Sequence, residues 1–413
     1  MKIRSITYFC SPGYPIDEGV LQRAGRFIRA ARDAFQTAGY EVQTTRLAAP
    51  PFMGYLPEAG MLPTLAQAVE KLAAEYGIDY VSLGPAFPDS QEGYTAIPTA
   101  LAATQNAFFS GSLTTPDGRI SLLAVRACAQ IIHQAAGITP DGFTNLRFAA
   151  LANVPAGSPF FPAAYHIGGE PAFALATEAA DLAVQAFREA GTLMEAQQAL
   201  PAAIEQHAHR LEKTAGELAG QFGVRFGVRF SGIDFSLAPF PDEALSLGAA
   251  MEALGVSSLG LHGSLAAAAI LADAIDRARF KRIGFSGLML PVLEDAILAK
   301  RATDGTLSVK DMLLYSAVCG TGLDTLPLPG NTTPEQLSAL LLDLAALGVR
   351  LGKPLTARLM PIPGKAAGDP TGFDFAYFAN SRVLALDAAP LRNCLAGEAT
   401  FALHQRGKTH HLE

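Results

Sequence analysis

The sequence predicts an α/β protein in which strands and helices alternate around a largely parallel sheet. Apolar runs of strand length recur between longer amphipathic stretches, half of the residues are hydrophobic and only 17% are charged. Strands that read as continuous apolar runs are those buried on both faces by helices. No Pro/Gly/Ser-rich linker or shift in composition divides the 413 residues, although that length could also hold two ordinary domains of about 100–250 residues each. One continuous domain over residues 1–413, closed or nearly closed into a barrel, is therefore expected.

Taken in order, an apolar segment from Ile3 to Cys10 turns through Pro12-Gly13 into a periodic helix from about Asp17 to Ala38. A strand from Glu41 to Arg46, a helix from Leu62 to Tyr76 and a strand from Asp79 to Leu83 repeat the unit. A strand from Asn106 to Ser110, a helix to about Ala136 and a strand from Leu146 to Val154 repeat it again. The second half starts with helical stretches from Pro171 to Gly191 and Ala196 to Gly220, then a strand from Val224 to Phe230. Later strands are expected at Ser258–Leu261, Arg282–Ser286 and Pro354–Met360, with helices at Ser264–Ala278, Val309–Cys319 and Pro334–Leu347.

Composition narrows the partners. A net charge of -7 without a basic stripe argues against nucleic acid. No apolar run reaches the roughly 18 residues that span a bilayer, and Pro12 interrupts any leader-like start. A cytoplasmic protein with a small-molecule ligand is expected, and a homodimer is left open as its assembly. Cys10, Cys128, Cys319 and Cys394 lie far apart without CxxC spacing, which signals neither disulfides nor structural zinc. Residues 410–413, which begin with His410 and His411, are read as a tag-derived tail.

In parallel α/β folds, ligands sit beyond the carboxyl ends of strands. His262 is placed there by the strand reading, and Gly263-Ser264 can open a helix whose free N–H groups favour anions. Asp234, just past a strand with Ser236, can orient a histidine, bind a metal or act as a base; it can equally cap a turn. His166 and Glu170 flank Gly168-Gly169 on a loop and are candidate ligands of a divalent metal. Cys319 and Asp324 share a glycine-rich turn, where the thiol reads as small core filler or as a nucleophile. Arg358, Lys365, Asp369 and Asp374 form the last cluster, with Lys365 on a proline-broken loop suited to a carboxylate or phosphate.

The segments FFPAAYHIGGEPAF, SGIDFSLAP, LGLHGSLAAAA, VCGTGLDTLPLP and ARLMPIPGKAAGD resemble the domain-of-unknown-function 711 family, most strongly from Ser158 to Asp369. The resemblance implies a pyruvate formate-lyase-like barrel of ten strands, in two five-stranded parallel halves that run opposite ways. It marks His166, Glu170, Asp234, Ser236, His262, Cys319, Asp324, Lys365 and Asp369 as family-patterned positions without assigned roles. The chain departs from the family's bacterial branch after Glu170. Glycyl-radical chemistry is not expected, because Gly407 in HQRGKTHH lacks a radical-loop context.

The resulting functional expectation is an enzyme doing acid-base or metal-assisted chemistry on a small anionic metabolite. His262 and Asp234 are central to it, His166 and Glu170 lie nearby, and Arg358, Lys365 and helix N-termini hold the anion. The alternative is a non-catalytic binding or sensory protein using the same pocket. His262 is expected to be essential, and Cys319 to lie at the site without acting as nucleophile.

Overall fold

A computed structural model describes residues 1–405. Gly407 and the tail from 410 onward lie outside the described residues.

The strands are β1 (Lys2–Phe9), β2 (Val42–Ala48), β3 (Tyr80–Ala86), β4 (Ala107–Ser112), β5 (Ile120–Ser121), β6 (Phe148–Ala152), β7 (Ala172–Glu178), β8 (Arg229–Asp234), β9 (Gly322–Pro329), β10 (Leu355–Ile362) and β11 (Thr400–Phe401). Nine of them form one sheet in the order β8-β7-β1-β2-β3-β4-β6-β10-β9, while β5 and β11 pair separately. From β1 through β2, β3 and β4 to β6 every pairing is parallel. The β7-β8 and β9-β10 pairs are also parallel, but each joins the central strands antiparallel, β7 on β1 and β10 on β6.

Eleven α-helices accompany the sheet: α1 (Glu18–Thr37), α2 (Leu62–Glu75), α3 (Gln91–Ala103), α4 (Leu122–Ala136), α5 (Ala180–Glu189), α6 (Leu193–Phe226), α7 (Leu247–Ala253), α8 (Ser264–Arg277), α9 (Ala296–Asp304), α10 (Val309–Tyr315) and α11 (Pro334–Leu351) among the described residues. Their ends follow local chemistry. Asp17 caps α1 by accepting from the Gly19 N–H, and Leu21, Ala24, Phe27, Ile28, Ala31 and Phe35 form its buried stripe. Reciprocal capping boxes start α6 at Thr192/Glu195 and α11 at Thr333/Gln336, and left-handed glycines, Gly227 and Gly352, end both. The principal core lies between these helices and the outer side of the sheet, where Ile3, Ile6 and Tyr8 of β1 join Phe27 and Phe35.

Four expected elements need correction. The stretch from Pro171 reads as helix because it is alanine-rich, yet Ala172–Glu178 is a strand on β1. Its period is two, with Ala172, Ala174 and Ala176 alternating with Phe173, Leu175 and Thr177, and burial on both faces overrides propensity. Ser258–Leu261 is a turn, because Gly255 and Gly260 hold φ of 107° and 99°, which an extended strand excludes. Val224 is still in α6, and the strand expected there begins at Arg229, after Gly227.

The expected strand at Arg282–Ser286 is not continuous. Residues 281–292 instead make separate backbone bonds to both ends of the sheet. On the β8 side, Ile233 N–H donates to Lys281, Ile283 to Ile233 and Leu237 to Gly287; on the β9 side, Gly320 donates to Leu288 and Val292 to Asp324. Gly287 and Gly320 meet so closely that a Cβ on Gly287 would lie 2.4 Å from the Gly320 Cα. The nine-stranded sheet itself is not closed.

Candidate functional site

Three arginines enter the interior from strands, two of them where a strand pairing is irregular. Arg4 is the extra residue of a β1 bulge, since Ile3 pairs with Thr177 and Ser5 with Ala176. Across the sheet, Asp324 and Thr325 of β9 stand together opposite the single residue Arg358 of β10. Such bulges re-aim side chains. Arg46 comes from β2 with no irregularity.

These arginines share a cavity of about 730 Å³, its open mouth included. It lies at the amino ends of β1 to β4. Because β7 runs antiparallel to β1, that is also the carboxyl end of β7, where Ala176 and Thr177 line it. The loop after β6 supplies Phe160 and Phe161, and the segment after β10 supplies Phe375 and Tyr377.

Arg358 is fully engaged. Its Nε donates to Asp324 Oδ1 at 2.6 Å and its Nη2 to Glu294 Oε1 at 2.8 Å, all three side chains being buried. Arg4 Nη2 reaches the other Glu294 oxygen at 2.5 Å. Burial pushes the Glu294 carboxyl up, but the guanidinium groups of Arg4 and Arg358 outweigh it and hold the carboxyl below its usual range. Burial also pushes Asp324 up, with Arg358 pulling it back.

Arg46 differs. Its Nε donates to Thr44 Oγ1 at 2.9 Å, and among the described residues no carboxylate comes within ion-pair reach of it. Its guanidinium sits 5.1 Å from the Phe161 ring centre and 5.9 Å from that of Tyr80. Burial, reinforced by the charge of Arg4, pushes its pKa down to about 9, so it remains a cation at neutral pH but a poorly compensated one. Phe160 covers Arg358 at 5.7 Å as Phe161 covers Arg46, which brings the FFPAAYHIGGEP segment to the site through its aromatic pair.

The sequence-derived candidates distribute differently. Arg358 lines the cavity and Asp324 anchors it from behind. Asp234, fully buried, accepts from Ser236 Oγ and from the N–H groups of Phe285 at 3.0 Å and Ser286 at 2.8 Å, while Ser236 Oγ accepts from Gly287 N–H. Burial pushes its carboxyl up and these bonds pull it back. The pair thus pins residues 285–287 to β8. His262 and Gly263 are exposed on the turn before α8, which the buried Ser264 begins, away from the cavity lining, and His262 is not among the partners of Asp234. Without a strand at Ser258–Leu261, nothing carries His262 inward.

Cys319 is buried under the Gly322 N–H, and Lys353 Nζ caps the carbonyls of Ser316, Ala317 and Cys319. His166 is buried with an unpaired Nε2, whereas Glu170 is exposed. Among the described residues no three His, Cys, Asp or Glu side chains gather as a metal site. Lys365 is half-buried, Asp374 is exposed, and Asp369 closes its own turn by accepting from Ala366 N–H at 2.7 Å.

Arg4, Arg46 and Glu294 escaped the sequence reading. The available signal was a charge inside a strand expected to be covered on both faces, as in KIRSITYF and VQTTRLA. For Glu294 it was the Glu-Asp pair before α9, where Asp295 takes the cap and leaves Glu294 over.

The family model described as "Uncharacterised ACR (DUF711)" matches residues 1–377. A UPF0210 protein of Pyrobaculum arsenaticum is 32% identical over 368 residues, covering 84% of this chain and 79% of that protein. One of Pyrobaculum aerophilum is 34% identical over 348 residues, covering 80% and 76%. One of Desulforudis audaxviator is 32% identical over 375 residues, covering 85% and 80%. Among the described residues no helix is long and apolar enough to cross a membrane.

Proposed function

Because the chain belongs to the uncharacterised DUF711 (UPF0210) family, its function has to come from the site, and we propose that the cavity binds a small organic anion on Arg46. The observation that carries this reading is a buried guanidinium without a carboxylate, in a cavity whose other arginines are paired. A buried charge is costly unless an opposite charge and hydrogen bonds meet it. A ligand carboxylate or phosphate supplies both.

Binding, rather than acid-base turnover, is the function this geometry supports best. Of the carboxylates, Glu294 faces the cavity but is held ionised between Arg4 and Arg358, and Asp234 is spent on residues 285–287. The wall offers donors and aromatic rings but no free base. The same reading makes residues 281–292 the tenth strand, closing a single barrel domain of two opposed five-stranded halves around the cavity. Pro291, Pro327 and Pro329 lack N–H donors, which accounts for separate pairings in place of a ladder there.

The test is a thermal-shift panel of small carboxylates and phosphate esters at low salt, run on the wild type and on Arg46→Gln. At least one anion class raises the wild-type midpoint and leaves the variant unmoved. A shift retained in Arg46→Gln, or none with any anion, contradicts the proposal. Recovery of the bound anion unchanged after prolonged incubation separates binding from turnover.

A further inference from the structure

The pairing of charges and the nature of the walls narrow the anion further, on the reading that Arg46 anchors it. Arg4, Arg46 and Arg358 bring three positive charges, and the ion-paired carboxylates of Glu294 and Asp324 bring two negative ones. Glu178, the last residue of β7, accepts from Gln43 of the cavity wall and adds its charge on the side of Arg4, while Lys2 pairs with Glu41. All three carboxylates lie with Arg4 and Arg358, and the guanidinium left without a bonded carboxylate is that of Arg46. A single negative charge neutralises it; a second would lie buried beside Glu294 and be repelled.

The shape of the anchor agrees. Thr44 occupies Nε, so the terminal nitrogens of Arg46 form its free edge, a match for the two oxygens of one carboxylate. The walls beside that edge are aromatic and set edge to face. Tyr80 and Phe108 ring centres are 5.2 Å apart at 65°, and Phe108 and Phe161 are 5.4 Å apart at 64°. Aromatic rings pack well in such offset arrangements, and a flat ring inserted there extends the same pattern. We infer that the ligand is an aromatic monocarboxylate, its carboxylate on Arg46 and its ring among Tyr80, Phe108 and Phe161.

Titration calorimetry of the full chain with benzoate, phenylacetate and cinnamate tests this, with benzamide, phthalate, phenyl phosphate and hexanoate as comparisons. At least one aryl monocarboxylate binds at one site per chain, at least tenfold more tightly than the uncharged or doubly charged ring compounds and than hexanoate. Arg46→Gln lowers that affinity at least tenfold. Arg46→Lys, which keeps the charge but loses the paired donors, falls between. If phthalate or phenyl phosphate binds more tightly and still depends on Arg46, the single-charge assignment is overturned while the anion site stands. If hexanoate binds as well as the best aryl acid, the aromatic assignment is overturned. If none of these anions binds, or Arg46→Gln binds them equally, the anion site itself is overturned along with the inference.

Discussion

Asp234 and Arg46 are both strand residues that carry a charge into the interior of the same sheet, and they differ in what meets that charge. Asp234 accepts two backbone N–H groups and a hydroxyl, so its charge is spent on the join between β8 and residues 285–287. Among the described residues Arg46 makes one hydrogen bond, to Thr44, and it faces rings and open space. The comparison teaches that residue type alone does not mark a site. A buried charge with all its partners inside the protein is architecture, and a buried cation without a carboxylate is where the proposed anion would bind.

Satisfied groups should be costly to remove. The largest effect is expected at Glu294, because Glu294→Ala leaves Arg4 and Arg358 facing each other with one carboxylate fewer. A loss of about 3–5 kcal/mol in denaturant unfolding is expected, as for breaking a buried pair by one partner. A loss below about 1 kcal/mol would break the account of this network. Asp234→Ala should follow at roughly 2–3 kcal/mol, since it leaves the Phe285 and Ser286 N–H groups unmet. Ligand affinity of the folded Asp234 variant should hold within twofold, and a tenfold drop would move Asp234 from architecture to the site.

A smaller effect is expected with pH. The folded pKa of Glu294 lies below its ordinary value of 4.5, so its ionised form contributes stability that is present above about pH 4.5 and is lost as pH falls through the folded value. Glu294→Gln should flatten that acid limb in unfolding curves taken from pH 7 down to pH 3. An unchanged limb would show that other carboxyls govern it. The smallest effect is expected at His262: exposed on its turn, it should tolerate His262→Ala with less than a twofold change in affinity. A tenfold loss would return the site to the α8 turn.

How far the sequence reaches follows from which information is local. The alternation of strands and helices was legible because apolar runs and caps are properties of short segments, as in α1 and α11. β7 was missed because alanine favours helix locally and only pairing with β1 makes it a strand. β9 went unassigned because Pro327 and Pro329 read as loop, although an edge strand tolerates them. Of the cavity and its supports, Asp324 was picked out as a carboxylate on a glycine-rich turn and Arg358 as part of a polar cluster, in neither case from their pairing. Arg4 and Arg46 were not, because their convergence depends on the registers of β1, β2 and β10 and on the bulge at Arg4, which no short window contains.

The most direct test of the central claim, that Arg46 is held for a ligand and not for the fold, is the stability of ligand-free Arg46→Met compared with Arg358→Met in matched denaturant titrations. Arg46→Met should be as stable as the wild type or more stable by about 1–2 kcal/mol, because it removes an uncompensated buried cation, whereas Arg358→Met should lose about 3–5 kcal/mol by stranding Glu294 and Asp324. Equal losses in both variants would show that Arg46 is as structural as Arg358, and would contradict the account.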